Sequence, residues 1–525
     1  MRATDAQTIP QLVRAAARQF GQSIFLEEDT VHISFGEFEQ RCTTAGRAMI
    51  ASGVAPGDRV AVWAPNIHEW VIAALAAQCI GAVLVTLNTR YKGSEAAYIL
   101  RASRARLLFS IGDFLGSNYP QMLSGEALPD LEETVVFRRG AGAHTPWDTL
   151  LQRAAQVDDA QLRERMENTG AGDTSDLLFT SGTTGAPKGV MCTHGQNLRA
   201  FSTFADIVGL QQGDRYLVIN PFFHSYGYKA GILACLLRGV TLLPHLTFDA
   251  RTVAERIAAD KVSVLPGPPT LFQSLLALPD LADYDLSSLK RTTTGAAAIP
   301  VEMIHRMRAV LGFETVITAY GLTECCGLVT MCRADDEAET VATTSGRAIP
   351  GVEVRCVDTD NNEVSSGEPG EIVVRGFNVM SGYFENAQAT AETIDAEGWL
   401  HTGDIGVLDE KGNLRITDRL KDMFITGGFN CYPAEIENTL AGHPGIAASA
   451  VIGIPDERLG EVAMAFIIPK RAGELNEEEL IAWCRQHMAN FKVPRRIAFV
   501  TEFPVNASGK VLKRELSKKV LQSTG

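Results

Sequence analysis

The stretch FTSGTTGAPKG, Phe179–Gly189, decides how this chain is organised. It combines glycines, four hydroxyl side chains and Lys188, and apolar runs lead into it and out of it. This pattern predicts a strand, a tight loop and a second strand. Glycine-rich backbone can surround an anion with N–H groups, and hydroxyls and lysine add donors, so the loop predicts a phosphate site. A plain hairpin loop is the alternative. The stretch is not a Walker A loop, because Lys188 is followed by Gly189 and not by the Ser or Thr that a Walker A loop requires.

Composition limits the class of protein. A chain of 525 residues, 46% of them hydrophobic, is expected to form two or more domains with sizeable cores. The net charge of −14 argues against a nucleic-acid partner. The 10 scattered cysteines lack a CxxC pair and favour free thiols in the cytoplasm. We expect no signal peptide and no transmembrane segment, because the longest apolar run, Val71–Val85, is too short.

Alternating strand and helix patterns fill the first part of the chain. Arg59–Ala64 and Ala82–Leu87 are predicted strands, with a predicted helix, Ile67–Cys79, between them. The alternation recurs further along and predicts an α/β fold with a mainly parallel sheet. Its later predicted elements include the helices Gly227–Leu237 and Ala250–Asp260 and the strand Val262–Leu265. After Pro350, short apolar runs between Gly, Asn and Asp residues, such as Val352–Val357, predict a small β-rich region, followed by a compact α+β tail. We therefore place a large N-terminal domain at 1–420 and a small C-terminal domain at 421–525.

Four further motifs carry residues suited to a nucleotide. AYGLTE, Ala319–Glu324, follows a predicted strand, where α/β sheets place their ligands, and its carboxylate suits Mg²⁺. In GWLHTGD, Gly398–Asp404, the last carboxylate can accept both ribose hydroxyls, whereas His401 is favoured as a packed, hydrogen-bonded histidine. Taken singly, DRLKD, Asp418–Asp422, is typical of a charged turn, and NASGK near the C-terminus is typical of a tail.

Together these motifs closely resemble the adenylate-forming enzymes, which include acyl-CoA synthetases, luciferases and the adenylation domains of peptide synthetases. FTSGTTGAPKG, AYGLTE, GWLHTGD, DRLKDMFITGGFNCYPAEIE, FKVP and NASGK occur in family order over almost the whole chain. The resemblance implies a mobile C-terminal domain and an ATP-dependent, AMP-forming ligase that uses Mg²⁺ and coenzyme A. It implies that a small carboxylic acid first forms an acyl-adenylate, and that the CoA thiolate then displaces AMP.

The resemblance also implies a role for each motif residue. The β- and γ-phosphates are expected on Thr180, Ser181, Gly182, Thr183, Thr184, Gly185 and Lys188. Adenine and the α-phosphate are expected near Gly295, Ala296, Ala297, Tyr320, Gly321 and Thr323. Asp404 and Arg419 are implied to hold the ribose, Lys421 to be the hinge and Gly428 to line the pantetheine tunnel. Mg²⁺ is expected on Glu324 and Thr184. The implied catalytic residues are Lys510, Glu324, Thr323 and Lys188, with Lys510 acting in adenylation only.

The acyl pocket is implied by the segment PFFHSYGYK. Its expected wall residues are Phe223, His224, Tyr226, Tyr228 and Lys229, with His224 as an aromatic gate or, alternatively, a packed histidine. Lys229 either meets a second oxygen of the substrate or extends to solvent. NPFFHSYGYKAGILACLLRG and LPGPPTLFQSLL resemble CoA ligases for the bicyclic propanoate left from steroid C and D rings.

Several alternatives stay open at this point. A medium- or long-chain fatty acid is the second candidate substrate. An acyl-AMP ligase that loads a carrier protein is a rival activity, and a non-catalytic nucleotide- or acyl-binding protein on the same scaffold is another. A homodimer is the quaternary arrangement to be tested.

Overall fold

The structure is a computed structural model. It describes residues 1–180, 187–295, 299–419, 422–426, 429–431, 433–456, 459–471, 473–488, 490–505 and 511–523. The chain divides into two compact units, Met1–Glu353 with Val374–Leu400, and Val354–Val373 with His401–Gly525. The expected domain boundary at residue 420 was placed beside the implied hinge residue, Lys421. This boundary stays a prediction.

An eight-stranded sheet forms much of the first unit. Its strands, in spatial order, are Gly382–Tyr383, Lys188–Thr193, Thr174–Thr180, Val83–Thr86, Arg59–Trp63, Ala105–Ile111, Glu133–Phe137 and Thr145–Pro146. Arg59–Trp63 pairs in parallel with both of its neighbours, because helical crossovers return the chain to the same end of the sheet. The crossover helix His68–Cys79 is buried almost all round, which explains its continuous apolar sequence.

A second sheet of the first unit consists of two four-stranded parts that are bridged through Val264. Its strands, in spatial order, are Val31–Ser34, Ile24–Glu28, Thr241–Pro244, Arg215–Val218, Arg291–Gly295, Thr315–Tyr320, Thr330–Met331 and Arg347–Ala348. Val262–Leu265, predicted as a full strand, forms only this bridge. Both sheets are mixed and largely parallel, so the predicted α/β class is confirmed.

Helices cover these sheets. Those of the first unit include Ile9–Phe20, Phe35–Ala51, His68–Cys79, Gly93–Ser103, Tyr119–Met122, Trp147–Gln152, Asp159–Asn168, His194–Val208, Ala234–Arg238, Ala250–Asp260, Pro269–Leu276, Val301–Ala309, Ala338–Thr343 and Ala387–Thr393. Their N-termini are frequently capped by side chains, as at Thr193, whose hydroxyl accepts from the Gln196 N–H. Among the residues that the structure describes, none of the helices has the length and apolar character needed to cross a bilayer.

The second unit contains two sheets. The first consists of Val352–Val357, Pro369–Gly376, Leu400–Leu408 and Leu414–Arg419, in that order. The second has the order Phe429–Cys431, Phe424–Thr426, Gly460–Pro469, Ile446–Asp456, with Arg496–Phe499 beside Gly460–Pro469. The helices of this unit include Pro433–Ala441, Glu477–His487 and Lys513–Ser523. Apolar side chains from the second sheet form two separate core clusters, one with Ile436 and Leu480 and the other with Leu516.

Candidate active site

The predicted phosphate loop lies between two antiparallel strands. Thr174–Thr180 leads into it and Lys188–Thr193 leads out, and Thr180 lies directly opposite Lys188. The two flanking strands are therefore as predicted. Five of the predicted phosphate ligands lie outside the described residues, namely Ser181, Gly182, Thr183, Thr184 and Gly185. The described ends of the loop place a hydroxyl and an ammonium group side by side.

Glu324 lies next to the first of these groups. Its carboxylate Oε1 accepts a hydrogen bond of 3.2 Å from the Thr180 hydroxyl, which is 144 positions away in sequence. Glu324 lies in a tight turn that requires glycine at position 321. A Cβ at that position would lie only 2.3 Å from the carbonyl oxygen of Gly327. The 3₁₀ turn Thr323–Cys325 follows. The fold thus brings two separate motifs, and two predicted site residues, together.

The donor set around Glu324 fits a magnesium ion held mainly by phosphates. Among the described residues, the two side-chain hydrogen bonds to this carboxylate both end on Oε1, from Thr180 and Tyr383. Within the described part of the chain, Oε2 accepts neither of these bonds. Mg²⁺ in nucleotide sites typically takes one or two carboxylates together with phosphate oxygens and water. Glu324 would supply the carboxylate, and Thr184, the other expected ligand, lies outside the described residues.

The predicted adenine residues lie at the ends of two adjacent parallel strands. Gly295 ends one strand and lies directly opposite Ala319, which precedes Tyr320 on the other. Carboxyl ends of neighbouring parallel strands are where α/β sheets bind ligands. Ala296 and Ala297, expected on the same wall, lie outside the described residues.

The predicted acyl-pocket segment leads into an unusual helix. Gly227 approaches the preceding backbone so closely that a Cβ there would lie 2.1 Å from the carbonyl oxygen of Pro221. The chain then forms a π-helix, Tyr226–Leu233, before the short α-helix Ala234–Arg238. One α-helix was predicted over Gly227–Leu237. This prediction was wrong for the first part of the segment, which is a π-helix. Such π segments are rare and concentrate at functional sites.

Three of the five expected pocket residues have accessible side chains, namely Phe223, His224 and Tyr226. The Tyr226 hydroxyl hydrogen-bonds the Thr293 hydroxyl, on the strand that ends at Gly295. Burial raises the pKa of Tyr226 to about 12, so the phenol is protonated at neutral pH. His224 is exposed to solvent, yet the protein around it lowers the pKa of its imidazole by desolvation. The role of His224 as an aromatic gate stays a prediction.

The other two, Tyr228 and Lys229, have no exposed surface. The Lys229 Nζ lies 3.0 Å from Asp176 Oδ1, which is equally buried, and the Tyr228 hydroxyl accepts from Gln78 Nε2 at 2.6 Å. Burial lowers the pKa of Lys229, but the Asp176 carboxylate more than offsets this and leaves the pKa above its ordinary value. Extension of Lys229 to solvent, one of its two expected arrangements, was wrong, and neither Tyr228 nor Lys229 presents surface to an open pocket. Its ammonium pairs instead with the strand that enters the phosphate loop.

The predicted ribose residues lie within the second unit. Asp404 and Arg419 are directly opposite one another on the two strands of a hairpin. The Asp404 N–H donates to the Thr402 hydroxyl at 3.1 Å, and that hydroxyl donates to the Ile372 carbonyl at 2.7 Å. Nearby, His401 Nδ1 lies 2.9 Å from Glu371 Oε2, so the favoured alternative of a hydrogen-bonded histidine is confirmed. The three other predicted residues of this unit lie outside the described residues: Lys421, Gly428 and Lys510.

Tyr383 contacts two of the predicted site residues, and the motifs did not reveal it. Its hydroxyl donates to Glu324 Oε1 at 3.1 Å, and the Lys188 ammonium lies 4.9 Å from the centre of its ring. The available signal was a Gly-Tyr pair in the segment Ser381–Asn386, which by itself is typical of many turns. Only the pairing of Gly382–Tyr383 with the strand after the phosphate loop brings the ring into the site.

A second cluster of titratable groups lies elsewhere in the first unit. Glu28, His68 and Glu69 bring potential ligand atoms within 4.8 Å of one another. Arg138 bonds both carboxylates, at 2.6 and 2.8 Å, so their charge is already paired. This cluster is best described as a buried ion-pair network.

Two family models match the chain. The model for AMP-binding enzymes matches residues 13–384, and the model for the C-terminal domain of AMP-binding enzymes matches residues 435–510. The chain belongs to the AMP-binding enzymes. An AMP-binding enzyme of this type is an acid–thiol ligase that uses ATP, Mg²⁺ and coenzyme A and works through an acyl-adenylate.

Similar proteins span the whole length of this AMP-binding enzyme. A 3-(7a-methyl-1,5-dioxo-octahydro-inden-4-yl)propanoyl:CoA ligase of Rhodococcus jostii is 46% identical, over 98% of each chain. The ligase of the same name from Mycobacterium tuberculosis is 48% identical, over 98% of this chain and 99% of its own. Among solved structures, an anthranilate CoA ligase in complex with anthranoyl-AMP superposes with a TM-score of 0.86 at 27% identity, over 100% of both chains.

Proposed function

We propose that this ligase activates an alicyclic, steroid-derived propanoate as its CoA thioester. The supporting observation is the identity of 46–48%, over 98% of the chain, to two ligases named for a bicyclic dione propanoate. A medium- or long-chain fatty acid remains the second candidate.

The described pocket wall suits an acid that carries ring oxygens. Tyr226 and Thr293 present two hydroxyl groups in contact with one another, and Tyr226 is partly accessible. Because the Tyr226 phenol stays protonated at neutral pH, it can donate a hydrogen bond to a ring carbonyl of the substrate. A purely alkyl chain offers no acceptor, so it would gain nothing from this hydroxyl, which would then keep only its bond to Thr293.

The proposed roles of the nucleotide residues follow from charge. Adenylation brings a carboxylate against a polyphosphate, so positive groups must offset their repulsion. We assign Lys188 and the loop from Thr180 to the β- and γ-phosphates, Thr323 to the α-phosphate and Glu324 to Mg²⁺, which would offset phosphate charge when bound. Asp404 and Arg419 are assigned to the ribose, and Lys510 to the carboxylate and α-phosphate oxygens during adenylation.

A substrate screen tests the proposal. Release of AMP and formation of CoA thioester are measured with bicyclic indanedione propanoates and with straight-chain alkanoates. We expect kcat/KM to be highest with the dione acid. We expect Tyr226→Phe, which keeps the ring and removes the hydroxyl, to lower kcat/KM about tenfold for the dione acid and little for an alkanoate. Activity on straight chains alone would contradict the steroid assignment and favour the fatty-acid alternative.

The rival activities have their own tests. A ligase that loads a carrier protein would form acyl-adenylate but no CoA thioester. A non-catalytic binding protein would release no pyrophosphate with any acid. We also propose that the enzyme works in the cytoplasm, which is supported by ten buried cysteines that form no disulfide in the described part of the chain. The homodimer stays a prediction that light scattering can test.

A further inference from the structure

Tyr383 connects two groups that the proposed function places on ATP. Its hydroxyl donates to Glu324 Oε1 at 3.1 Å, and its ring lies 4.9 Å from the Lys188 ammonium. We propose that Tyr383 is a positioning residue for magnesium-bound ATP: its hydroxyl orients the carboxylate of Glu324, and its ring orients the ammonium of Lys188 toward the polyphosphate. The inference rests on the proposed use of ATP at this site.

The backbone fixes the position of the Tyr383 ring. Tyr383 lies directly opposite Val190 on an antiparallel pair of strands, and its N–H donates to the Thr390 hydroxyl at 2.9 Å. The next residue, Phe384, donates its N–H to the Gly189 carbonyl at 2.8 Å. Lys188 precedes Val190 by two positions, and alternate residues of a strand share a face. The ring and the ammonium therefore lie on the same side of the sheet.

The Tyr383 hydroxyl is a permanent donor. The side chain is only 8% exposed, and a tyrosine phenol keeps its proton at neutral pH. An ionised carboxylate can only accept hydrogen bonds, so the direction of this bond is fixed. Because Thr180 donates to the same Oε1, the two donors restrict the rotation of the carboxylate, and the side-chain hydrogen bonds from the described residues leave Oε2 unused.

The Tyr383 ring restricts Lys188. A lysine side chain has many rotamers, and holding it in one of them opposes its conformational entropy. The attraction between an ammonium and the face of an aromatic ring favours the rotamers that keep Nζ above Tyr383. Losing the ring would leave the charge in place but broaden its positions, which should weaken binding of the β- and γ-phosphates.

Two variants separate these contributions. Tyr383→Phe keeps the ring and removes the hydrogen bond to Glu324, whereas Tyr383→Leu removes both contacts. The matched control is Tyr119→Phe, because Tyr119 is a buried tyrosine of the same unit whose hydroxyl donates to the Thr89 carbonyl at 2.6 Å, outside this site. Calorimetric titrations measure the Kd of ATP with Mg²⁺, of ATP without Mg²⁺ and of AMP, all in the absence of acid.

We expect Tyr383→Phe to raise the Kd of ATP about tenfold when Mg²⁺ is present and to leave the Kd of AMP unchanged, since AMP lacks the β- and γ-phosphates. Tyr383→Leu should raise the Kd of ATP about threefold even without Mg²⁺. Tyr119→Phe should change none of the three values. The half-saturating Mg²⁺ concentration in ATP–pyrophosphate exchange should rise with Tyr383→Phe and should not rise with the control Tyr119→Phe.

The outcomes separate the inference from the proposed function. If the wild-type protein binds no ATP with Mg²⁺, both are overturned. If the wild type binds it and Tyr383→Phe binds it equally well, only the positioning role is overturned. The same holds if Tyr383→Phe weakens ATP and AMP by the same factor, because that pattern would indicate a general structural defect.

Discussion

The two units hold their predicted nucleotide residues in different ways. In the first unit, the Glu324 carboxylate is fixed by hydroxyls from residues 144 and 59 positions away. In the second unit, Asp404 is fixed by its own hairpin, opposite Arg419 and bonded to Thr402. The first arrangement depends on hydroxyls from two distant segments, and the second depends on a hairpin together with the strand beside it, through the bond from Thr402 to Ile372. Damage to packing should therefore affect the first site more than the second.

Removing Lys229 should give the largest effect on the first unit. Lys229→Met leaves the Asp176 carboxylate buried without its cation, and breaking a buried pair in this way typically costs about 3–5 kcal/mol of unfolding free energy. Urea denaturation measures the change. The double variant Lys229→Met/Asp176→Asn should recover at least half of the loss, because no uncompensated charge remains. If Lys229→Met were as stable as the wild type, the stabilising role of the buried pair between Lys229 and Asp176 would be contradicted.

Glu324→Gln and Lys510→Ala should both slow adenylation, although the two residues belong to different units. Each should slow adenylation about 10²- to 10³-fold, the scale for losing one preorganised charge contact. Thioester formation from supplied acyl-adenylate should stay nearly intact in Lys510→Ala. ATP–pyrophosphate exchange and single-turnover thioesterification measure the two steps. If both steps fell together in Lys510→Ala, the assignment of this lysine to adenylation alone would be wrong.

Acidification should weaken the first unit through His194. This side chain is 1% exposed and accepts the Ile9 N–H at 3.3 Å, and burial lowers the pKa of His194 to about 4. The unfolded chain binds the proton more readily, so stability is lost as the pH falls from about 6.5 to about 4, by roughly 3 kcal/mol in total. Urea denaturation across this range tests it, and His194→Gln should flatten the slope.

Two threonine variants compare the two sites at the level of a single hydrogen bond, with the smallest expected effects. Thr180→Val removes one of the two donors to Glu324 and should lower the exchange rate about tenfold. Thr402→Val removes the hydroxyl that accepts the Asp404 N–H, but the strand pairing still places Asp404, so we expect a loss of only about threefold. Equal losses would mean that the two sites are assembled in the same way. The KM for ATP and kcat should be measured for both.

The same difference explains what the sequence could predict. The helix Ala250–Asp260 and the strand Val352–Val357 have the predicted bounds, because apolar spacing within a short segment determines them. The partners Asp404 and Arg419 were also recognisable, since each lies in a local motif. The pairing of Lys229 with Asp176 was not, because a lysine in a polar segment gives no sign of a distant, buried carboxylate.

Tyr383 and the π-helix were unpredictable for related reasons. The role of Tyr383 depends on which strand its short segment joins, and a two-residue strand carries too little pattern to show this. The π-helix arises where Gly227 meets the backbone at Pro221, a contact that apolar periodicity does not encode. Each of these features results from tertiary packing that overrides the local pattern.

The π-helix Tyr226–Leu233 has an evolutionary consequence. Its wide turn holds one more residue than an α-helical turn, so deleting a single residue there would restore α geometry and rotate the following side chains by about 100°. On the proposed assignment of this segment to the acyl pocket, one codon lost or gained would then change the pocket wall. Acid preference could diverge in this way among descendants while every nucleotide-binding motif stayed unchanged.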